Sequence, residues 1–247
     1  MDQNERYKQW ESGDGYDRYI TAELQSFRKE AWKKQVTGHF DGQKDLKILD
    51  VGTGPGFFAC ILSEEGQNVT GIDYSAGMIE TAKKNAAKLG VQPTLLVMDV
   101  NHLAFADETF DAIVTRNVTW TLEHPEDVYR ELLRILKPEG ILLIYDANWH
   151  RHLFDEELGR KVKEREEDYF RKYGKREVVA NESPAFLETA PLTRMLRPDW
   201  DIKTFRSLGV EPVITEDIGR YVYEEWEKEL YAESPLFEIC VRKNKTL

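Results

Sequence analysis

The stretch Lys47-Ile48-Leu49-Asp50-Val51-Gly52-Thr53-Gly54-Pro55-Gly56 decides the fold of this 247-residue chain. A short apolar run, which predicts a buried strand, leads into a glycine-rich turn, and a helical pattern begins at Phe57. Glycines leave the backbone of such a turn open to a ligand, and the free N–H groups at a helix start attract an anionic group. The stretch therefore predicts a strand–loop–helix unit that binds a cofactor.

Apolar runs alternate with helical patterns from Leu46 to Tyr145. Further strands are predicted at NVTGID, TLLVMDV, FDAIVTRN and GILLIYDA. One predicted helix has Ser75 as its N-terminal cap and Gly90 as its C-terminal cap. A second is predicted at PEDVYRELLRILKPEG, with Pro125 in its first turn and Pro138 at its end. A later helix (DWDIKTFRSLG) is followed by two strands (EPVITEDIG and PLFEICVRK). This order predicts an α/β fold with a mostly parallel sheet and helices on both faces.

Two segments lie outside the alternation, at the N-terminus and after the fifth strand. One apolar stripe predicts a single N-terminal helix, through Tyr16, Ile20, Leu24, Phe27 and Ala31. The second segment is helical but rich in charge pairs four residues apart, such as Glu157 and Lys161. The predicted parts are an N-terminal helical cap (1–44), a cofactor-binding core (45–149), a helical lid insertion (150–198) and the C-terminal part of the core (199–247).

Composition and charge narrow the class of protein. Apolar residues make up 41% of the chain and charged residues 32%, and the formal charge is −11. An acidic surface repels phosphate backbones, so no nucleic-acid partner is expected. The chain shows no signal peptide and no apolar run near the ~20 residues of a membrane span, which predicts a cytoplasmic protein without a membrane partner. Cys60 and Cys240 have no metal-ligand spacing, so we expect two reduced thiols and no metal.

Two carboxylates follow the glycine turn at the ends of successive predicted strands. Asp73 ends the second strand, where a carboxylate can accept hydrogen bonds from ribose hydroxyls. Asp99 ends the third strand, 26 residues later. Each aspartate has an alternative role as the cap of a turn. Enzymes that bind NAD use the ribose contact too, so Asp73 alone does not distinguish the cofactors.

The glycine turn separates the families more clearly. A dinucleotide-binding G-x-G-x-x-G turn would need glycine where Phe57 stands, and a phosphate-binding loop would need Gly-Lys-Ser/Thr. The turn instead resembles motif I of the class I methyltransferases, D-x-G-x-G-x-G. The resemblance extends from about Asp45 to Asp146 and includes FDAIVTRNVTWTLEHPEDVYRELLRILKPEGILLI.

This resemblance implies a doubly wound, mostly parallel, seven-stranded sheet whose last strand inserts antiparallel beside the fifth. It also implies S-adenosylmethionine as cofactor and S-adenosylhomocysteine as product. It implies further that Asp99 and the Val100 backbone N–H form hydrogen bonds with adenine, and that backbone near Arg116 contacts the amino-acid portion of the cofactor. The full set of expected cofactor-binding residues is Asp50, Gly52, Thr53, Gly54, Gly56, Asp73, Tyr74, Met78, Asp99, Val100, Arg116 and Asn117.

In this family the acceptor attacks the methyl group in line, so no obligatory catalytic residue is expected. The acceptor is expected above the carboxyl ends of the strands. Candidate acceptor contacts are Tyr16, Tyr19, Trp120, Asp146, Trp149 and His150. Asp146 is the candidate for orienting or deprotonating the acceptor, with a turn cap as its alternative role.

The acidic charge and the lid-sized insertion favour an enclosed small-molecule acceptor. The fourth strand also lacks the Asn-Pro-Pro-Tyr segment of methyltransferases that modify adenine or glutamine amines. Two alternatives stay open. One is a protein of this fold that binds S-adenosylmethionine without methyl transfer, or uses a modified cofactor. The other is an NAD-dependent oxidoreductase.

Overall fold

Seven strands form one sheet: β1 (Lys47–Val51), β2 (Asn68–Asp73), β3 (Thr94–Val97), β4 (Phe110–Arg116), β5 (Leu136–Asp146), β6 (Pro212–Thr215) and β7 (Phe237–Arg242). The computed structural model describes residues 14–174 and 183–245, and the backbone alone for residues 14–16. The strand order is β3-β2-β1-β4-β5-β7-β6. Neighbouring strands pair in parallel as far as β5, whereas β7 runs antiparallel to both β5 and β6. This topology confirms the predicted sheet, including the closing strand beside the fifth.

Helices connect the strands and cover the sheet. Those within the described ranges are α1 (Asp14–Leu24), α2 (Arg28–Thr37), α3 (Phe57–Glu64), α4 (Ala76–Leu89), α5 (Pro125–Ile135), α6 (Glu156–Tyr173), α7 (Pro184–Glu188), α8 (Asp199–Ser207), α9 (Gly219–Val222) and α10 (Glu225–Leu230). Two predicted caps are confirmed. The Ser75 hydroxyl accepts the Met78 N–H at the start of α4, and Gly90 ends that helix in the left-handed conformation.

The strands alternate between two hydrophobic cores, one on each face of the sheet. In β5, Leu143 and Tyr145 belong to the core beneath α2 and α3, whereas Leu142 and Ile144 belong to the core beneath α5 and α8. Because successive side chains point to opposite faces, burial on both faces makes the strand continuously apolar. The sheet is therefore a rigid layer that holds its carboxyl ends, and the loops after them, at one edge.

The N-terminal cap differs from the prediction of one helix. The chain turns at residues 25–27, between α1 and α2, and Phe27 is 52% exposed. The Ser26 hydroxyl donates to the Glu23 carbonyl and accepts the Arg28 N–H, which stabilises this turn. A hydroxyl that bonds the local backbone competes with the helical pattern, so the apolar stripe continues across a bend.

The helix that was predicted to end at Pro138 is shorter in the structure. Helix α5 ends at Ile135, and β5 begins at once with Leu136, which pairs with Phe110 of β4. A register shift follows, and Glu139 takes a positive φ of 65°. Lys137–Gly140 therefore forms an irregular part of the strand, between Leu136, which pairs with β4, and Ile141, which pairs with both β4 and β7.

The insertion divides into two parts. Helix α6 lies against α10, where the Tyr169 ring packs 6.0 Å from that of Trp226, and Arg165 pairs at 2.6 Å with Glu233, just beyond α10. Helix α7 instead contacts the turn after β4, where Phe186 packs edge-on against Trp120 with the ring centroids 5.8 Å apart. The part around α7 thus reaches a loop at the carboxyl edge of the sheet.

Candidate cofactor and acceptor site

Asp50 holds the glycine loop together from inside. Its Oδ2 accepts the Thr53 hydroxyl at 2.5 Å and the Ala59 N–H at 3.0 Å, so one carboxylate oxygen joins the loop to α3. The carboxylate is buried, and this burial raises the pKa of Asp50 to about 6. Asp50 was predicted to bind cofactor, and these contacts give it a positioning role in the loop.

Two of the loop glycines are required by packing. Gly52 has a φ of +65°, and a Cβ there would lie 2.3 Å from Val118 Cγ2. Gly56 has a φ of +86°, and its Cβ would lie 2.9 Å from the Cβ of Ala82. Both positions exclude other residues through the left-handed backbone and through contact with the protein itself. The glycine motif therefore reflects close packing of the loop as well as any ligand.

Asp73 connects the loop to the end of β2. Its Oδ2 accepts the Gly54 N–H at 2.9 Å, and its Oδ1 accepts the Ser75 N–H at 2.8 Å. A carboxylate oxygen has two acceptor positions, so these bonds leave further capacity for ligand hydroxyls. Burial raises the pKa of Asp73. The expected neighbours differ in exposure, since Tyr74 is half-buried and Met78 is 4% exposed.

Asp99 lies in the turn after β3, which ends at Val97. Its Oδ1 accepts the backbone and side-chain N–H groups of Asn101, and its Oδ2 lies 3.3 Å from His102 Nδ1. These contacts fit the alternative role of a turn cap. Asp99 and the half-buried Val100 both follow the strand end where adenine binding is expected, and the adenine contact stays a prediction.

A cleft of about 270 Å³, part of it open to solvent, lies beside the loop. Gly52, Thr53 and Pro55 form one wall, and Ile20 of α1 and Arg116 at the end of β4 contribute to the others. The structure therefore brings the loop and Arg116 together, as predicted for a shared site. Ile20 also brings α1, part of the predicted N-terminal cap, to the cleft.

Asn117 follows Arg116 in a left-handed conformation, with a φ of 58°. Its N–H donates to the Tyr145 carbonyl at 2.9 Å, and its own carbonyl accepts the Trp120 indole N–H at 3.1 Å. The Asn117 Oδ1 atom is buried without a hydrogen-bond partner among the described residues. An unsatisfied buried acceptor is costly, which suits a position where a ligand donor binds.

Asp146 does not agree with the prediction that it deprotonates an acceptor. The residue has no exposed surface. Its Oδ2 accepts the Thr119 hydroxyl, the Trp120 N–H and Arg197 Nη1, and its Oδ1 accepts N–H groups of Ala147 and Trp149. Five donors occupy a carboxylate with about four acceptor sites, so a transferable proton has no place there. Asp146 instead fixes the loops around it.

Sequence reasoning missed the partner of Asp146. Arg197 is fully buried and bonds Asp146 at 2.6 Å and Asp201 at 2.8 Å. The four-residue spacing of Arg197 and Asp201 gave no helical signal, because Arg197 lies before α8, which begins at Asp199. The contact with Asp146, 51 residues away in sequence, follows only from the tertiary fold.

The aromatic residues that were predicted to contact the acceptor lie in different environments. Trp120 packs 4.8 Å from the His150 ring, and burial lowers the pKa of His150 to about 4, so its imidazole is neutral at pH 7. Trp149 packs on Tyr231 at 5.3 Å. Tyr19 points elsewhere, since its hydroxyl donates to Glu227 at 2.6 Å. The side chain of Tyr16 lies outside the described residues.

The two cysteines differ in environment, which gives a direct test of the packing. Cys60 is completely buried, and burial together with Asp50 and Glu64 raises the pKa of its thiol to about 12. Cys240 is half-buried, and its Sγ lies 3.8 Å from His39 Nδ1. Because the thiolate is the reactive form, iodoacetamide at pH 7.5 is expected to label Cys240 and spare Cys60 in the folded chain. Peptide mass spectrometry would measure this, and labelling of Cys60 at a comparable rate would contradict the described core.

Residues 14–174 and 183–245 contain no group of three or more His, Cys, Asp or Glu side chains arranged to hold a metal ion. No helix within those ranges combines the length and apolar character needed to cross a membrane.

The family model and the curated relative that this chain matches are both described as methyltransferases. Residues 49–144 match the family model described as a methyltransferase domain. A Rickettsia felis protein named ubiquinone biosynthesis O-methyltransferase is 32% identical over 142 residues, which cover 56% of each chain. The chain therefore spans little more than half the length of this relative.

Solved structures agree with the fold. The [4+2]-cyclase SpnF aligns with a TM-score of 0.61 and 19% identity over 86% of this chain and 80% of its own. A structure named as a putative S-adenosylmethionine-dependent methyltransferase from Methanococcus maripaludis gives a TM-score of 0.58 and 19% identity, over 92% of both chains. At such identities the likeness confirms the α/β architecture and leaves the chemistry to the site.

Proposed function

We propose that this chain, whose residues 49–144 match the model of a methyltransferase domain, is a class I S-adenosylmethionine-dependent methyltransferase that transfers a methyl group to a small-molecule acceptor. The observation that carries the proposal is the glycine loop, whose Gly54 N–H is held by Asp73 at the carboxyl ends of β1 and β2. Open α/β sheets bind ligands at this edge.

The residues around the cleft fit such a cofactor. Gly54 takes a φ of +52°, which presents loop backbone at the strand ends, and Asp73 has acceptor capacity for ribose hydroxyls. The cofactor's amino-acid portion carries one carboxylate and one ammonium. Arg116 supplies a cation for the first, and the unsatisfied Asn117 Oδ1 supplies an acceptor for the second. Arg116 and Asn117 thus offer one partner for each charged group of the cofactor's amino-acid portion.

When bound, S-adenosylmethionine supplies a methyl group already activated by a positively charged sulfur. The protein's own task is therefore to align the two reactants and to exclude water. Trp120, Phe186 and Ala190 form a small apolar cluster at the carboxyl edge, with Trp149 packed against it. Asp146 and Arg197 fix that cluster from below through the Trp120 N–H and the Thr119 hydroxyl.

An isotope-transfer assay tests the proposal directly. The chain would be incubated with methyl-labelled S-adenosylmethionine and a panel of small phenols, quinols, amines and thiols. We expect label in an extracted small product and formation of S-adenosylhomocysteine. A heat-unfolded sample is the control, and absence of transfer across a broad panel would count against the activity.

The same samples separate the alternatives. Calorimetric binding of S-adenosylhomocysteine without transfer would support a protein that binds the cofactor and does other chemistry. The likeness to a structure named as a [4+2]-cyclase is the reason for testing this second candidate. Binding of NAD in place of S-adenosylhomocysteine would support an oxidoreductase.

Asp99 offers a test of where adenine binds. Asp99→Ala is expected to weaken S-adenosylhomocysteine binding by about 1.5–3 kcal/mol, the scale of a hydrogen bond to a charged group. An analogue without the exocyclic amine should bind both proteins alike, because it lacks the donor. Equal weakening of both ligands in calorimetry would assign Asp99 to the turn alone.

We infer that the N-terminal cap and the insertion close over the bound ligands. Amide hydrogen exchange is expected to slow in residues 14–37 and 184–193 when S-adenosylhomocysteine and an acceptor are both present, relative to the core of β5. Helix α6 is the internal comparison, because it packs on α10 and not on Trp120. Unchanged exchange in 184–193 would make this segment a static part of the surface.

A further inference from the structure

Glu23 of α1 reaches into the proposed cofactor site. Its Oε1 accepts Arg116 Nη1 at 2.8 Å, and its Oε2 accepts Arg116 Nη2 at 2.9 Å. The Glu23 side chain has no exposed surface, and that of Arg116 is 9% exposed. The pair is therefore a nearly dry, two-pronged contact between the cap and the end of β4.

Aromatic rings hold the Arg116 guanidinium in position. Its central carbon lies 4.5 Å from the Phe57 ring centroid, 5.0 Å from that of Trp32 and 5.2 Å from that of Phe58. The head group is thus fixed at the wall of the cleft by cation–π contacts. Paired bonds from Nη1 and Nη2 are the geometry in which arginine recognises a ligand carboxylate. In this structure a carboxylate of the chain itself occupies that edge.

We propose that Glu23 is an internal substitute for the carboxylate of the cofactor's amino-acid portion, and that the incoming ligand replaces Glu23 on Arg116. This inference rests on the proposed function. Binding of the cofactor and loss of the Glu23–Arg116 contact are then one coupled event, while the cap keeps its other contacts. Glu23 acts as a competitor that sets how tightly a ligand with a carboxylate binds.

The surrounding contacts make this exchange favourable for both partners. After losing Arg116, Glu23 keeps Arg28 Nη2 at 2.7 Å and the Trp32 indole N–H at 3.1 Å. Arg28 is itself anchored by Glu227 at 3.1 Å and by the Val222 carbonyl at 3.0 Å. Arg116 exchanges one carboxylate for another. No charge is left buried and unpaired, which is the large cost when such pairs are broken.

Two ligands that differ in the carboxylate provide the test. S-adenosylhomocysteine carries the amino-acid portion, and 5′-methylthioadenosine lacks it. In calorimetry, Glu23→Gln is expected to bind S-adenosylhomocysteine about tenfold more tightly than the natural chain, a factor that corresponds to about 1.4 kcal/mol. Binding of 5′-methylthioadenosine should not change. Glu23→Asp, which keeps the charge but shortens the reach to Arg116, should change affinities in the same direction and covers the case in which the glutamine variant does not fold.

Glu227→Gln is the matched control, because Glu227 is equally buried in the same network but pairs with Arg28. It should leave the ratio of the two affinities unchanged, whereas Arg116→Lys should weaken S-adenosylhomocysteine alone. If the Glu23 variants bind both ligands more tightly, both more weakly or both unchanged, the competition is excluded and Glu23 only supports the cap. If neither ligand binds any of the proteins, the proposed function itself fails.

Discussion

Arg197→Met is expected to lower the free energy of unfolding by about 3–5 kcal/mol, the usual loss when one partner of a buried ion pair is removed. Arg197 is completely buried, and its guanidinium bonds the carboxylates of Asp146 and Asp201, both also without exposed surface. It donates further to the Thr119 hydroxyl at 2.8 Å. Methionine fills a similar volume but leaves two carboxylates without their cation. Burial penalises those charges, and no water can replace the lost donors.

Urea denaturation followed by circular dichroism would measure the loss. Arg206→Met is the matched control, since Arg206 lies on α8, one and a half turns after Asp201, and pairs with Glu211 at 2.5 Å. The two side chains of that pair are 59% and 66% exposed, so its removal should cost less than about 1 kcal/mol. Similar losses in the two variants would show that the Arg197 cluster contributes no more than a surface pair.

The same cluster explains why the role of Asp146 was misjudged from sequence. An aspartate just beyond an apolar strand, at the edge where ligands bind, has the position of a catalytic base. Whether its oxygens are available depends on Arg197, Trp149 and Thr119, which reach it from different loops. Side-chain partners so far apart in sequence are set by packing, and no local pattern encodes them.

Features with a local cause were predicted well. The alternation of strands and helices follows from hydrophobic periodicity, and the Ser75 and Gly90 caps follow from the chemistry of helix ends. Glycine in the loop was also predicted, although the structure adds a reason. A side chain at Gly52 would collide with Val118, and one at Gly56 would collide with Ala82. Both of these neighbours lie in other parts of the chain. The motif was visible in the sequence, whereas its packing partners were not.

The N-terminal cap shows the limit of periodicity. Ile20 and Leu24 are buried as the stripe requires, but Phe27 lies at the bend and is exposed. The buried residue of that region is Arg28, which the stripe does not contain. Its burial depends on Glu23 and Glu227, one of them 199 residues away. The apolar stripe therefore gave no sign of Arg28, although this residue forms the centre of the network that holds the cap.

Gly54→Val is expected to abolish binding of S-adenosylhomocysteine, with affinity reduced beyond about a hundredfold. Gly54 has a φ of +52°, a left-handed backbone that a β-branched residue adopts only with strain. Relief of that strain would turn the peptide and break the bond from the Gly54 N–H to Asp73. The substitution thus removes the loop conformation and the anchor of Asp73, the carboxylate proposed to bind ribose, and both lie at the proposed cofactor contact.

Gly90→Val separates this effect from general strain. Gly90 also has a positive φ, +71°, at the end of α4, and a Cβ there would meet none of the described atoms within 4 Å. Both variants should lose a similar stability of about 1–2 kcal/mol from the left-handed backbone. Only Gly54→Val should lose the ligand in calorimetry, with circular dichroism to establish that each protein is folded. A distorted turn cannot hold Asp73 and the ligand in the same arrangement. If a folded Gly54→Val chain binds within threefold of the natural affinity, cofactor binding therefore does not depend on this loop.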